Sequence, residues 1–397
     1  MGAIALGLTA PVVAAQPVPD ERLAADVREG ETASSYSRMK KQIADEIGLS
    51  FSMDISIMNQ VGGTDAAVQA VFTPNVTWQA FSDTALGSGS FQFSYLAAQY
   101  WSAVNAAALA ANLGLNSPIN AWPANEKYFK RVTYGHEFPG RWLSVTLGQY
   151  PFSSFDGNAY ANDQQVSFIS NSLSQNGSQN YTKAGLGAYL QLAPTDEVTL
   201  AAGFNDSNDP TGGYIRFDAI GQGAYAWFLY GAWSPDVGGP GKQKDDGPNK
   251  GQGRGQYRLL YYNLPGVPAR PRASDGLSFS ASQPIGSKWG LFLRANTAWN
   301  SSFPVQSSVA AGAVYNDPLG RDPLDRIGIG FAWNRTNLSR PAAALARPSE
   351  TMIELYWNWA VRENLLLTPN LQLYLQPALA QTEQIAAVFT LRITKLF

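Results

Sequence analysis

The chain has no cysteine and a single histidine in 397 residues, and only 15% of it is charged. Without cysteine there is no disulfide framework, no thiolate nucleophile and no cysteine-based metal site. With His136 alone, a histidine-rich metal cluster is excluded as well, and any Ser/His catalytic pair must use that residue. Charge is scarce beside the roughly 25% of soluble domains. The formal net charge of −2 offers nucleic acid no basic surface. Beyond the first residues there is also no run of about 18 apolar residues, which excludes transmembrane helices. What is present is 45% hydrophobic and 12% aromatic residues. An aromatic-rich, charge-poor chain without apolar helices fits one membrane architecture, the closed antiparallel barrel.

Residues 1–15 read as the tail of a secretory signal peptide that lacks its basic start. Ala3 to Ala15 is a short apolar run, and Val13-Ala14-Ala15 offers a small-residue cleavage site. The run is too short for a membrane helix and contains Pro11. Residues 16–48 form a lead-in. Its polar part contains Pro17 and Pro19, and Ser35 to Ile47 then reads as a helix capped by Ser34 or Ser35 and stopped by Gly48. The narrow stripe of Met39, Ile43 and Ile47 suits packing at a barrel mouth, with a partner-binding helix as the alternative.

From Leu49 the hydrophobic period becomes two. Ile353, Leu355, Trp357 and Trp359 alternate with Glu354, Tyr356, Asn358 and Ala360. Leu371, Leu373 and Leu375 alternate with Asn370, Gln372, Tyr374 and Gln376, and Ile327, Ile329, Phe331 and Trp333 with Arg326, Gly328, Gly330 and Asn334. Successive side chains of a strand face opposite sides, so each segment has one apolar and one polar face. Segments of about ten residues with aromatics near their ends match a tilted barrel wall better than a soluble sandwich. The expected strands are 49–60, 66–81, 89–100, 126–137, 141–150, 181–193, 196–206 and 222–233. They continue as 255–263, 275–285, 288–299, 305–314, 325–335, 350–361, 366–376 and 384–396. The expected fold is therefore all-β, a transmembrane antiparallel up-and-down β-barrel of 16 strands over 49–397, with a short N-terminal periplasmic helix.

Placing both termini in the periplasm makes every second connection a short turn. Pro139-Gly140, Pro194-Thr195, Gly286-Ser287 and Arg362-Glu363-Asn364 fall on that side, and the long connections 101–125, 151–180, 207–221 and 336–349 on the other. The connection 234–254, rich in Gly, Lys and Asp, is long where a short turn is expected and reads as a flexible solvated insert. The chain ends in Phe397 on an alternating strand, a pattern typical of assembled outer-membrane barrels.

Several of these segments resemble the carbohydrate-selective porins of Gram-negative outer membranes. The resemblance is carried by KRVTYGHEFPGRWLSVTLGQYPFSSFDGNAYA (130–161), Gly185-Leu-Gly-Ala-Tyr, the strand from Asp325 to Phe331, and ETMIELYWNWAVRENLLLTPNLQLYLQP (350–377). It implies a sixteen-stranded channel favouring uptake of glucose and other sugars, with an inward loop after the fifth strand.

A pore performs no reaction; its selectivity is the width and electrostatics of its lumen. Parity places Asp54, Arg131, Glu137, Lys183, Arg258, Arg294, Arg326, Glu354 and Arg392 on inward faces. An outward Arg or Lys at the midplane costs roughly 2–4 kcal/mol. Six of the nine are cationic and three anionic, a balance suited to anions or neutral polyols; the alternative is that they are solvated lumen residues salt-bridged across the wall to keep the barrel round. The loop 151–180 is the expected constriction, with Phe152, Phe155, Asp156, Asn158, Tyr160 and Asp163 as its candidate lining. Aromatic faces stack on sugars while carboxylates and amides bind hydroxyls. An extracellular loop closed on its own aromatics is the alternative.

No enzyme is expected. His136 has outward parity near a turn, and Gly221-Gln222-Gly223 precedes a strand rather than a phosphate-binding helix. Asp206 and Asp209 read as a polar turn more readily than as a calcium loop. Neither cofactor nor metal is expected. The expected partners are outer-membrane lipid and lipopolysaccharide, with sugars as permeants and a homo-oligomer or a periplasmic envelope-complex partner left open. The competing function is an export conduit for a secreted polysaccharide, whose signs would include an extra pair of strands.

Overall fold

The computed structural model describes residues 35–397 apart from 179–180, 209–213, 237–253, 269, 341–342 and 344. The expected signal peptide (1–15), the lead-in up to residue 34 and most of the 234–254 connection lie outside the described residues.

Helix α1 (Ser35–Ile47) ends at Gly48, whose positive φ of 70° reverses the chain into the first strand. The strands are β1 (Leu49–Gly62), β2 (Asp65–Thr84), β3 (Gly87–Tyr100), β4 (Glu126–Glu137), β5 (Leu143–Tyr150) and β6 (Gly185–Leu192). Next come β7 (Val198–Asp206), β8 (Tyr225–Trp233), β9 (Gln256–Leu264), β10 (Ser274–Ile285) and β11 (Trp289–Trp299). The circuit ends with β12 (Val305–Asn316), β13 (Arg326–Thr336), β14 (Ser349–Arg362), β15 (Leu365–Leu375) and β16 (Ile385–Leu396). Each strand pairs antiparallel with its sequence neighbours, and β1 closes on β16 from Asp54↔Leu396 to Val61↔Phe389. The sixteen-strand antiparallel barrel read from the alternation is the fold observed. Closure leaves no edge strand, so the wall is paired all the way round, as a lipid environment demands.

The apolar row faces outward. On β11 the side chains Leu291, Leu293 and Trp299 are exposed while Phe292, Arg294, Asn296 and Ala298 between them are buried. Exposed tryptophans form two belts. Trp227, Trp299 and Trp333 lie toward the rim opposite the chain ends, and Trp233, Trp289, Trp357 and Trp359 toward the rim that carries them. Trp227 packs on Tyr261, Trp233 on Tyr257 and Trp289 on Tyr315, with ring centroids 5.3, 5.4 and 4.7 Å apart. Amphipathic rings belong at the two interfaces of a bilayer, and an apolar wall between two such belts is a lipid-facing surface.

Several expected strand starts move, three of them for reasons visible in the turns. β5 begins at Leu143 rather than 141, because Gly140 and Arg141 both take positive φ in the turn. β8 begins at Tyr225 rather than 222, because Phe217–Gln222 forms a 3-10 helix closed by Gly223 at φ 72°. β6 begins at Gly185 rather than 181, so Lys183 stands off the strand. The β8–β9 connection does lie on the rim of the chain ends, entered through an Asp236–Arg254 bridge. The flanking ladder from Trp227↔Asn263 to Trp233↔Tyr257 is regular, so the long insert leaves the register unchanged.

Candidate functional site

The polar row turns inward, and two long connections fold onto it. The β3–β4 connection (101–125) contains helix α2 (Ala106–Asn112), capped by the Asn105 side chain accepting from the Ala108 amide. The β5–β6 connection carries a short 3-10 turn (Phe152–Phe155) and helix α3 (Asn171–Ser174). Residues 151–178 cross the barrel from β5 toward β1, β2 and β16, then return along β14, β13, β12 and β11.

Bonds to the wall fix the outward path. Arg294 donates to the Asp156 and Ala161 carbonyls at 3.0 and 2.8 Å. The Asn158 amide donates to Ser280 Oγ and the Ala281 carbonyl, both at 3.0 Å. Arg258 lies against Gly157, where a Cβ would stand 2.5 Å from its Nη1. At the far side Arg392 donates to the carbonyls of Gln164 and Ser167 and to Asn358 Oδ1, and Thr394 donates to the Gln165 carbonyl. The Gln165 amide group reaches Ser56 on β1 and accepts from Thr73 on β2.

The return path rests on β14. The Glu354 carboxylate accepts from the Ile169 and Ser170 amides at 2.6 and 2.9 Å and from Asn370 Nδ2 at 2.6 Å. Four residues earlier on the same face, Glu350 accepts from the Asn116, Ser117 and Ala378 amides and from the Ser117 hydroxyl. One strand thus anchors both inward connections with carboxylates. Buried carboxylates are tolerated because several donors converge on each. The two connections also touch each other, through Asn171 N to the Pro118 carbonyl and Ala121 N to Gln164 Oε1.

Of the nine expected lumen residues, Arg258, Arg294, Glu354 and Arg392 are brought together beneath the 151–178 segment and buried. Asp54 faces inward on β1 and is buried. Arg131 is half-buried and joins Gln92 on β3 to Ser154 at the root of the loop, at 2.7 and 2.6 Å. Arg326 donates to Asn316, near the rim of the chain ends. Glu137 sits at that same rim beside Arg141. Lys183 pairs with Glu126 just before β6, where burial lowers the ammonium pKa to about 8 although the carboxylate is alongside.

The reading of Phe152 and Phe155 as stacking platforms for a solute is corrected by their burial. Each is 1% exposed, locked among Tyr150, Tyr181, Tyr189, Phe228 and Tyr230, so neither ring offers a free face. Asp156 is likewise committed, accepting from Tyr181 and Ser278. Burial and that carboxylate hold the Tyr181 hydroxyl protonated, its pKa far above the usual phenol. Asn158 is turned into the wall as described, and Asp163 Oδ1 caps the Gln165 amide. Tyr160 alone of the six keeps a partly open ring, over Gly290.

The sequence reading passed over Glu350, although it shares the parity of Glu354. The alternation puts Asn358 on the inward row of β14 but names no partner for it, and it misses Gln165, for which a non-periodic loop gives no signal. His136 lies outward between Phe81 and Phe138 and bonds Tyr134 and the Leu86 carbonyl. Asp206 closes a polar turn by accepting from Asn208, while Asp209 lies outside the described residues.

The loops cover the wall from β9 round to β2 and the aromatic inner face of β6 to β8. Ser90, Gln92 and Arg131 on β3 and β4, with Asn75 and Thr77 on β2, stay half-buried. The exposed part of the lumen is therefore polar and carries Arg131.

Comparison with known proteins fits this geometry. The model of the carbohydrate-selective porin, OprB family matches residues 88–397. A protein named Porin AaxA from Chlamydia pneumoniae is 32% identical over 374 residues, covering 90% of this chain and 81% of that protein. Its counterpart from Chlamydia felis is 31% identical over 370 residues, covering 90% and 80%. Among solved structures, Pseudomonas putida OprB at high pH superposes with a TM-score of 0.71 over 92% of this chain and 97% of that one. At 16% identity this shows a shared fold. A Rh. blastica porin variant reaches 0.52 at 11% identity, covering 88% of this chain and all of its own.

Proposed function

The chain belongs to the carbohydrate-selective porin, OprB family, and from that premise we propose that it passes small neutral hydrophilic solutes, sugars first among them, by passive diffusion. Family and barrel indicate a Gram-negative outer membrane. The rim with both chain ends is then the periplasmic one, and the inward connections enter from outside.

The observation that carries the reading is the covering of one lumen wall by segments 101–125 and 151–178, which leaves hydroxyls, amides and Arg131 to meet a solute. Such groups exchange hydrogen bonds with sugar hydroxyls at little net gain over water. With the loop phenylalanines buried, stacking contributes little, so passage is weakly selective. Residues 151–178 act as the constriction in this reading. The sixteen strands leave out the added pair expected of an export conduit, and no observation favours that reading. The test is planar-bilayer conductance with titrated glucose, maltose and a charged uronate. Partial, reversible block by both neutral sugars is the expected result. Conductance unaffected by either sugar would remove the carbohydrate part of the proposal.

A further inference from the structure

The hairpin joining β11 to β12 turns in five residues (300–304), with Asn300 at φ 56°. Its neighbours, the connections 265–273 and 337–348, are longer, so the rim dips between them. This rim is the one opposite the chain ends. The dip holds a cavity of about 250 Å³ lined by Arg272, Asn300, Gln306, Arg335, Thr336 and Leu338, among others. Its cations mark it as a place for an anion. Arg272 and Arg335 are exposed, and neither enters an ion pair among the described residues. The next residue, Thr336, is 1% exposed and shares the inward parity of Asn334, so the outward face of this strand end carries Arg335. Asn337 fixes the surrounding backbone by donating to the Ser301 and Phe303 carbonyls at 2.7 and 3.0 Å.

Position decides which anion. Arg335 shares the outward parity of Ile329, Phe331 and Trp333 on β13. Exposed Trp299 and Trp333 stand just below the cavity, and exposed Leu338 lies at its lip. A ligand seated here has a charged head level with the arginines and an apolar body along the barrel wall. Guanidinium forks match phosphate geometry. The carboxylate nearest in sequence, Asp275, is already held by Tyr261 and Asn263.

We propose that this rim cavity binds the phosphate of a phosphorylated lipid in the surrounding leaflet, clamped by Arg272 and Arg335. The inference rests on the membrane placement above but not on what the lumen passes. The test is lipid retention by the purified full chain in detergent, read by native mass spectrometry. Three probes are used: a monophosphorylated glycolipid, the same glycolipid after phosphatase treatment, and inorganic phosphate. The unaltered protein should hold the phosphorylated lipid at least about tenfold more tightly than the dephosphorylated one. R272A/R335A should lose that preference, and Arg335→Ala alone should reduce it. Charge-assisted contacts of this kind are each worth roughly tenfold or more. Equal retention of the two lipids by the unaltered protein overturns the proposal, as does an undiminished preference in R272A/R335A. Displacement of the lipid by equimolar inorganic phosphate also overturns it, by showing a free-anion site. Single-channel conductance of both variants reports lumen function separately, so loss of the lipid site and loss of the pore are told apart.

Discussion

Arg392 has one of the largest fully buried side chains in the molecule, and its direct bonds go to neutral acceptors: two loop carbonyls and the Asn358 amide oxygen. A guanidinium keeps its charge and offers five donors in a rigid fork, so it ties down irregular backbone that a strand ladder cannot reach. Arg392→Met removes that tie and leaves acceptors unpaired, at about 1–3 kcal/mol for each one water does not reach. The loop should loosen before the barrel does. The expected signs are flickering single-channel currents and faster protease cleavage within 156–167, with heat-modifiable mobility unchanged. Phe155 and Tyr160 separate packing from solute contact. Phe155→Ala empties a closed aromatic cluster and should cost about 3–5 kcal/mol. Tyr160→Ala should barely alter stability in urea titration but should change the sugar dependence of conductance. The inward placement of Arg294, Glu354 and Arg392 was legible because their strands alternate. Their partners were not, because the loop that supplies the carbonyls has no period.

Strand β14 does two jobs with one alternation. Its outward row of Leu355, Trp357 and Trp359 is exposed, while its inward Glu350 and Glu354 hold the two entering segments. Beside it, Gly330 on β13 provides the floor for α3. A Cβ there would stand 2.7 Å from Leu173 and 2.9 Å from Phe168. Gly330→Val should therefore lift the returning limb at about 1–3 kcal/mol of overpacking. The barrel should still assemble, and the mean single-channel conductance should shift. Element boundaries show where alternation misleads. Residues 181–184 read as the start of a strand, yet Tyr181 is pinned by Asp156 and packed edge-to-face against Tyr262, with ring centroids 5.0 Å apart. The ladder begins only at Gly185, where a Cβ would stand 2.2 Å from the Asp206 carbonyl. Periodicity records facing, and loop tertiary contacts decide where pairing starts.

At the scale of the whole molecule, the fold was legible because one alternation repeats around sixteen strands, an apolar row outward and, away from the aromatic inner face of β6 to β8, a largely polar row inward. A sandwich with the same rhythm would bury its apolar rows. Here they are the exposed ones, between two aromatic belts. The interior is the less legible half, since two connections turn a wide polar cylinder into a passage beside β2, β3 and β4. The account stands on that passage being open to water. The most direct measurement is single-channel current from folded, purified protein in a planar bilayer without added solute. Discrete, ohmic steps are predicted. A barrel that inserts intact, as judged by heat-modifiable mobility, and yet carries no current would contradict the account.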